Sequence, residues 1–278
     1  MWVTLMGIEY WYQKTMYIKK ILEIKDLKFK KDGKFKKKFK MHKTEKLFDP
    51  SWVDIELPEP PANDSQQTKS EINEIIRRRE MLTDFDKKVY VNTNESTTYY
   101  IREFLDEQDL EWSEDTIEDI VDSVKHIGKY YKQKFNRPRP RQVAEKLGID
   151  KFSYEKLETT NSPAYPSNHA LQARMVAHYY GEKYPSQKKY LLRAADMSAE
   201  GRINAGVHYP SDKYVAYMLA DKLIEYFKMD ELKEDAPMNA TGTAVSTDAP
   251  IVRKKKKKGG SAYEPSKLFD LLRRNYRT

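Results

Sequence analysis

Apolar positions in the middle of the chain recur with the period of a helix, and the clearest run begins after Ser113. Ile117, Ile120, Val121, Val124, Ile127, Tyr131 and Phe135 fall three and four residues apart, which gathers them on one side of a helix. Ser113 is a good N-cap, and Glu114 and Asp115 lie in the first turn, where free backbone N–H groups favour negative charge. The helix is expected to stop near Asn136, because Pro138 and Pro140 each lack a donor and push the preceding residue toward extended backbone. Weaker runs predict one helix through Ile72, Ile75, Ile76 and Met81, and another through Tyr100, Ile101, Phe104 and Leu105. Three more are predicted at about 167–182, 186–200 and 210–228, the last with Val215, Met218, Leu219 and Leu223 on one face. No segment here reads as a core strand, and no internal repeat is present.

The flanks follow other rules. From Leu27 to Met41 the chain reads LKFKKDGKFKKKFKM, in which Asp32-Gly33 is a hairpin-turn signal between near-alternating segments. A lysine-rich two-stranded hairpin is expected there. The Pro-rich and polar stretch from Leu57 to Thr68 reads as a linker. From Ala236 the periodicity is lost, and a small, polar segment leads to Arg253 and the run Lys254 to Lys258. This composition predicts a disordered tail, with a short amphipathic helix near its end through Leu268, Phe269, Leu271 and Leu272. The division is a basic N-terminal extension over 1–56, a linker over 57–68, a helical domain over 69–235 and a flexible basic tail over 236–278.

Charge sharpens this division. The formal net charge is +8, but residues 1–46 hold 14 Lys against 5 acids, and residues 251–278 hold 10 Lys or Arg against 2 acids. The body between them is left at −9, so the high pI describes the ends and not a basic active-site face. The ends are expected to bind polyanions weakly. No apolar run approaches the roughly 20 residues that span a bilayer. The N-terminus lacks the apolar core and small-residue cleavage site of a secretory signal, so a soluble cytoplasmic protein is expected. With no cysteine, disulfides and thiolate metal sites are excluded.

Three short pieces carry the candidate chemistry. The first is Lys132 followed by six residues and then Arg139-Pro140; the second is Pro166-Ser167-Asn168-His169 at the start of a predicted helix; the third is Arg202, five residues, His208, three residues and Asp212. A transferring phosphoryl group spreads negative charge over three oxygens, and positioned cations stabilise it. Lys132, Arg139 and Arg202 supply three such cations, the arginines with donors for two oxygens each. Ser167 adds a hydroxyl at a helix N-terminus, where free N–H groups point at an anion. His169 and His208 are two imidazoles, one to attack and one to move protons. Asp212 lies four residues after His208, within reach of its Nδ1 proton, which would leave Nε2 unprotonated.

The set resembles the signature of the type 2 phosphatidic acid phosphatase and vanadium haloperoxidase superfamily: Lys-x6-Arg-Pro, Pro-Ser-Gly-His and Ser-Arg-x5-His-x3-Asp. The resemblance spans roughly 113–228. It implies an all-α bundle with the active site between its helices and a metal-independent phosphate-monoester hydrolase of the acid-phosphatase type. By the same resemblance His208 is the nucleophile that forms a phosphohistidine, His169 the acid on the leaving oxygen, and Asp212 the residue that orients His208. Lys132, Arg139, Ser167, Asn168 and Arg202 would bind phosphate, the Asn168 contribution being its backbone N–H. The implied substrate is a phosphorylated small molecule or a lipid head group, with no cofactor and vanadate as an inhibitor.

The chain departs from the signature at two positions: Asn168 stands where the pattern has Gly, and Gly201 where it has Ser. Asn keeps the backbone N–H and tolerates unusual φ. Gly201 loses a hydroxyl but no charge. Elsewhere, His42, His126 and His178 are read as structural, and Asp84-x-Asp86 is set aside because no apolar strand precedes it. Two alternatives keep the fold. One is a vanadate-dependent haloperoxidase, with vanadate as cofactor on His208, against which the short chain argues. The other is an assembly protein that docks on nucleic acid or another anionic surface through its basic ends.

Overall fold

A computed structural model describes residues 42–228 together with Leu27, Lys28 and Leu232. The fold is all-α, with no strand among the described residues. The helices are α1 (His42–Leu47), α2 (Gln66–Glu80), α3 (Asp84–Glu95), α4 (Tyr99–Glu107), α5 (Glu114–Phe135), α6 (Pro140–Leu147), α7 (Asn168–Lys183), α8 (Lys188–Asn204) and α9 (Pro210–Leu223), with 3₁₀ turns at Pro50–Asp54, Glu158–Thr160, Pro185–Gln187 and Ile224–Tyr226. None of these helices is long and apolar enough to cross a membrane. Apart from Leu27 and Lys28, which lie in no strand, the expected hairpin and the C-terminal tail lie outside the described residues.

Helix α5 follows its sequence pattern closely. The Ser113 side chain accepts from Thr116 N at 3.3 Å, and Ile117, Ile120, Val124, Ile127, Tyr131 and Phe135 are buried. The helix ends at Asn136, which takes the left-handed conformation (φ 48°), before Pro138 can interrupt the ladder. Helices α7 and α8 pack against each other, and both bury small residues: Ala170, Ala173 and Ala177 on one, Ala194, Ala195, Ser198 and Ala199 on the other.

Three helices, α1, α3 and α6, have no counterpart in the periodicity. Helix α3 carries few apolar residues and is fixed by a capping box, in which Thr83 Oγ1 accepts from Asp86 N and the Asp86 carboxylate accepts from Thr83 N. The Asp84-x-Asp86 pair is therefore a helix start. Helix α6 begins at Pro140, whose missing donor costs nothing at the first helical position.

The segment read as an N-terminal extension ends inside the core. Leu47, Phe48, Trp52 and Ile55 are buried, and Thr44 Oγ1 donates to Ser123 O of α5 at 3.1 Å. Phe48 and Phe227 pair across the fold, with Asp49 N donating to Tyr226 O and Lys228 N to Leu47 O, each at 2.9 Å. The stretch read as a linker is also tied down: Asn63 Nδ2 donates to Leu27 O at 2.8 Å, and Tyr165 Oη donates to Pro58 O at 2.8 Å.

Candidate active site

The three sequence pieces meet where α5 and α8 end and α7 and α9 begin. Lys132 sits in the last turn of α5, Asn168 and His169 in the first turn of α7, Arg202 in the last turn of α8 and Asp212 in the first turn of α9. Ser167 N donates to Asp212 O at 3.0 Å, which joins the starts of α7 and α9. The α8–α9 turn is tight because Gly206 takes φ +73°, and a Cβ there would meet Ser153 O at 2.6 Å.

His208 is held at both ring nitrogens. Its Nδ1 lies 2.8 Å from Asp212 Oδ2 and its Nε2 lies 2.8 Å from Arg139 Nη1. A carboxylate only accepts and a guanidinium only donates, so the ring carries its proton on Nδ1 and a lone pair on Nε2. Asp212 Oδ2 also accepts from Tyr209 N at 2.9 Å, and its Oδ1 accepts from Arg137 Nη1 at 2.8 Å. Burial first, then the charges of Arg139, Lys132 and Arg202, hold His208 well below the ordinary imidazole range. Burial, Arg202, His208 and Arg139 do the same to His169. Both rings are neutral near pH 7.

The cations are buried and directly paired with no carboxylate among the described residues, Asp212 reaching Lys132 and Arg139 only through its field. Lys132, Arg139 and Arg202 are each at most 3% exposed, yet none forms a salt bridge among the described residues. Lys132 Nζ donates to the carbonyls of Pro163 and Ala164 at 2.5 and 3.1 Å. Arg139 donates to Ser162 O at 2.9 Å and to Val207 O at 2.7 Å. Arg202 donates to Asn94 Oδ1 at 3.0 Å and Thr159 Oγ1 at 2.8 Å. Burial pushes Lys132 well below its ordinary value, with Arg139 adding to it; it brings Arg139 down to about 10 and Arg202 to about 9. Buried charge of one sign with only neutral partners is a place for an anion.

Lys132, Arg139, His169, His208 and Asn168 line one cavity of about 630 Å³. Ser167 and Arg202 stand behind its wall. The Ser167 hydroxyl caps α7 by accepting from Ala170 N at 3.5 Å, and Asn94 and Thr159, which do line the cavity, lie between it and the Arg202 donors. Asn168 has no positive φ, so its backbone tolerance goes unused; its side chain instead fills the space beside Gly128, where a Cβ would come within 2.0 Å of Asn168 Oδ1. Gly201 has a packing reason, since a Cβ there would meet Thr93 Oγ1 at 2.8 Å and Tyr90 Cα at 3.2 Å.

No protein-family model matches this chain, and no curated protein matches it.

Sequence reading missed Arg137, Glu71, Asn94, Thr159 and Ser162. Arg137 alone carried a signal, being followed by proline as Arg139 is. The histidines read as structural have structural partners where described: His126 Nδ1 lies 2.8 Å from Asp122 O, and His178 Nε2 lies 2.7 Å from Asp221 Oδ1.

Proposed function

We propose that the protein is a metal-independent phosphate-monoester hydrolase of the type 2 phosphatidic acid phosphatase and vanadium haloperoxidase superfamily, acting through a phosphohistidine at His208. The observation that carries this reading is the state of His208: Nδ1–H donates to Asp212, and the Nε2 lone pair faces a cavity walled by Lys132 and Arg139. Arg139 Nη1 occupies that lone pair at 2.8 Å, and an anion that draws the guanidinium to its own oxygens frees the nitrogen to attack.

In the first step the Nε2 lone pair attacks phosphorus, the P–O bond to the leaving group breaks, and the leaving oxygen takes a proton from the His169 imidazolium. Burial first, and then its positive neighbours, keep His169 unprotonated in the free site; a bound phosphate dianion offsets the neighbours' charge and so favours the imidazolium. In the second step His169 takes a proton from water, the hydroxyl attacks phosphorus, and the P–N bond breaks to release inorganic phosphate and neutral His208. Lys132 and Arg139 hold the equatorial oxygens, and Arg202 adds positive potential from behind Asn94 and Thr159. Asn168 offers its backbone N–H at the start of α7, and Ser167 fixes that start by its cap.

The test is hydrolysis of p-nitrophenyl phosphate in excess EDTA, with and without vanadate. Turnover that survives chelation, with vanadate inhibiting in the micromolar range as a transition-state mimic, is the expected result. Activity lost to EDTA and restored by Mg²⁺ or Zn²⁺ would sink the histidine mechanism.

A further inference from the structure

The cavity does not end at the phosphate-sized cluster around His208. It runs outward along one face of α5, where Glu114, Glu118, Asp122, Lys125, Lys129 and Lys132 line it in succession. These positions recur at three- and four-residue spacing, so they form one stripe, set apart from the buried stripe through Ile120, Val124 and Ile127. Helix electrostatics accounts for part of this pattern. Acids in the first turn are what the N-terminal dipole favours, so Glu114 carries no argument by itself. Lys125 and Lys129 are different, because they lie ten and six residues before the end of α5, beyond the last turn that favours cations. Neither forms an ion pair among the described residues. Burial and the neighbouring Lys125 lower the Lys129 ammonium, and Asp122 offsets this in part.

We infer that the substrate carries a second phosphate group, held by Lys125 and Lys129, on a short neutral skeleton that leads back to the phosphate at His208. This rests on the hydrolase reading and narrows its substrate class. The distance follows from the helix: at about 1.5 Å per residue, Lys129 and Lys125 lie roughly 4.5 and 10 Å along the axis from Lys132. Two ammonium groups on one wall suit a dianionic phosphate better than a single carboxylate. Farther out the wall carries charge of both signs, Glu95 and Glu118 beside the Arg102–Glu114 ion pair (2.7 Å), and makes no demand on the rest of the substrate.

The experiment compares butane-1,4-diol bisphosphate with the corresponding monophosphate, using the full chain and the Lys125→Met/Lys129→Met double variant. The expected result is a kcat/KM for the bisphosphate about tenfold above the monophosphate, carried mainly by KM and lost in the double variant. Monophosphate hydrolysis stays within about twofold in that variant, since both lysines are away from the reacting group. Equal kcat/KM values in the full chain, or an advantage that persists in the double variant, would overturn the inference while leaving the hydrolase reading intact. If neither compound is hydrolysed, the hydrolase reading fails and the substrate class falls with it.

Discussion

Arg137 and Asp212 form a buried ion pair, with Nη1 and Oδ1 2.8 Å apart, and the other Asp212 oxygen is the one that accepts from His208. Arg137 is itself fixed from two further sides. Its Nη2 lies 3.1 Å from Glu71 Oε2 of α2, and its guanidinium stacks 3.8 Å from the centre of the Tyr209 ring. Glu71 also accepts from Ser211 N and Oγ, each at 2.9 Å, so α2 reaches the start of α9 through the same carboxylate. The histidine's orientation is thus built three residues deep, His208 on Asp212, Asp212 on Arg137, and Arg137 on Glu71.

Removing Arg137 leaves the Asp212 carboxylate buried without its cation. Arg137→Met is expected to cost about 3–5 kcal/mol of stability, the usual result of breaking a buried pair from one side. The Arg137→Met/Asp212→Asn double variant should be more stable than the sum of the single losses predicts, by at least ~1 kcal/mol. Urea unfolding of the four proteins measures the coupling. Additive losses would mean that the two charges do not hold each other.

The folding of the middle of the chain was largely legible, for physical reasons that can be named. Helix α5 announced itself through Ser113, its apolar stripe and the prolines after Asn136, all of them local signals. The predicted helices at 167–182 and 186–200 correspond to α7 and α8, while the one drawn over 210–228 ends as an α-helix at Leu223. Helix α3 was missed because its few apolar residues form no long stripe and its contact with Gly201 of α8 is tertiary, although the capping box from Thr83 to Asp86 is a local signal. The candidate site followed the same division. Residues within one motif, such as His208 and Asp212, were readable from spacing, and Asn94 and Thr159 were not, because they meet Arg202 only through the tertiary fold. The burial of Leu47, Phe48 and Trp52 was hidden by the lysines before them, which made the whole segment look solvated.

Gly201 yields a prediction that runs against the resemblance. Restoring the signature's serine would put a Cβ 2.8 Å from Thr93 Oγ1, and Thr93 is fixed by donating to Val89 O at 2.7 Å. Gly201→Ser is expected to lower stability by about 1–3 kcal/mol through overpacking. Combining it with Thr93→Ala should recover much of the loss. Thermal melts of the single and double variants test this, and an unchanged Gly201→Ser melt would show that the α3–α8 contact yields without strain.

The two depressed imidazoles set the stability of the protein in mild acid. His169 and His208 refuse protons in the fold at pH values where an unfolded histidine, near 6.5, accepts them. Below pH 6.5 the unfolded chain therefore binds more protons, and stability falls as pH drops. Each ring contributes up to about 1.4 kcal/mol per pH unit, so the loss from pH 7 to 5.5 is roughly 2–3 kcal/mol for the pair. His169→Gln should remove about half of that dependence. Urea midpoints across the range provide the measurement. Identical slopes for the variant and the parent would mean that His169 is already protonated in the fold.

The last prediction separates the two histidines by what each does to phosphorus and to the leaving oxygen. His208→Ala removes the attacking nitrogen, so no phosphoenzyme forms with any substrate. His169→Ala keeps the nucleophile and loses the proton donor, which should lower turnover of an alkyl phosphate by roughly 10²–10⁴. That loss should shrink for dinitrophenyl phosphate, because its leaving group departs without a proton. The same variant lacks the base for the second step, so phosphohistidine should accumulate with the activated substrate, and more so as the first step speeds up. Rapid quench with ³²P-labelled substrate and alkaline work-up, which preserves phosphohistidine, reads both effects in one experiment. Label retained on the His208→Ala protein would place the covalent bond elsewhere. Equal losses for activated and unactivated esters in His169→Ala would mean that this ring is not the acid, and that the proton reaches the leaving oxygen by another route.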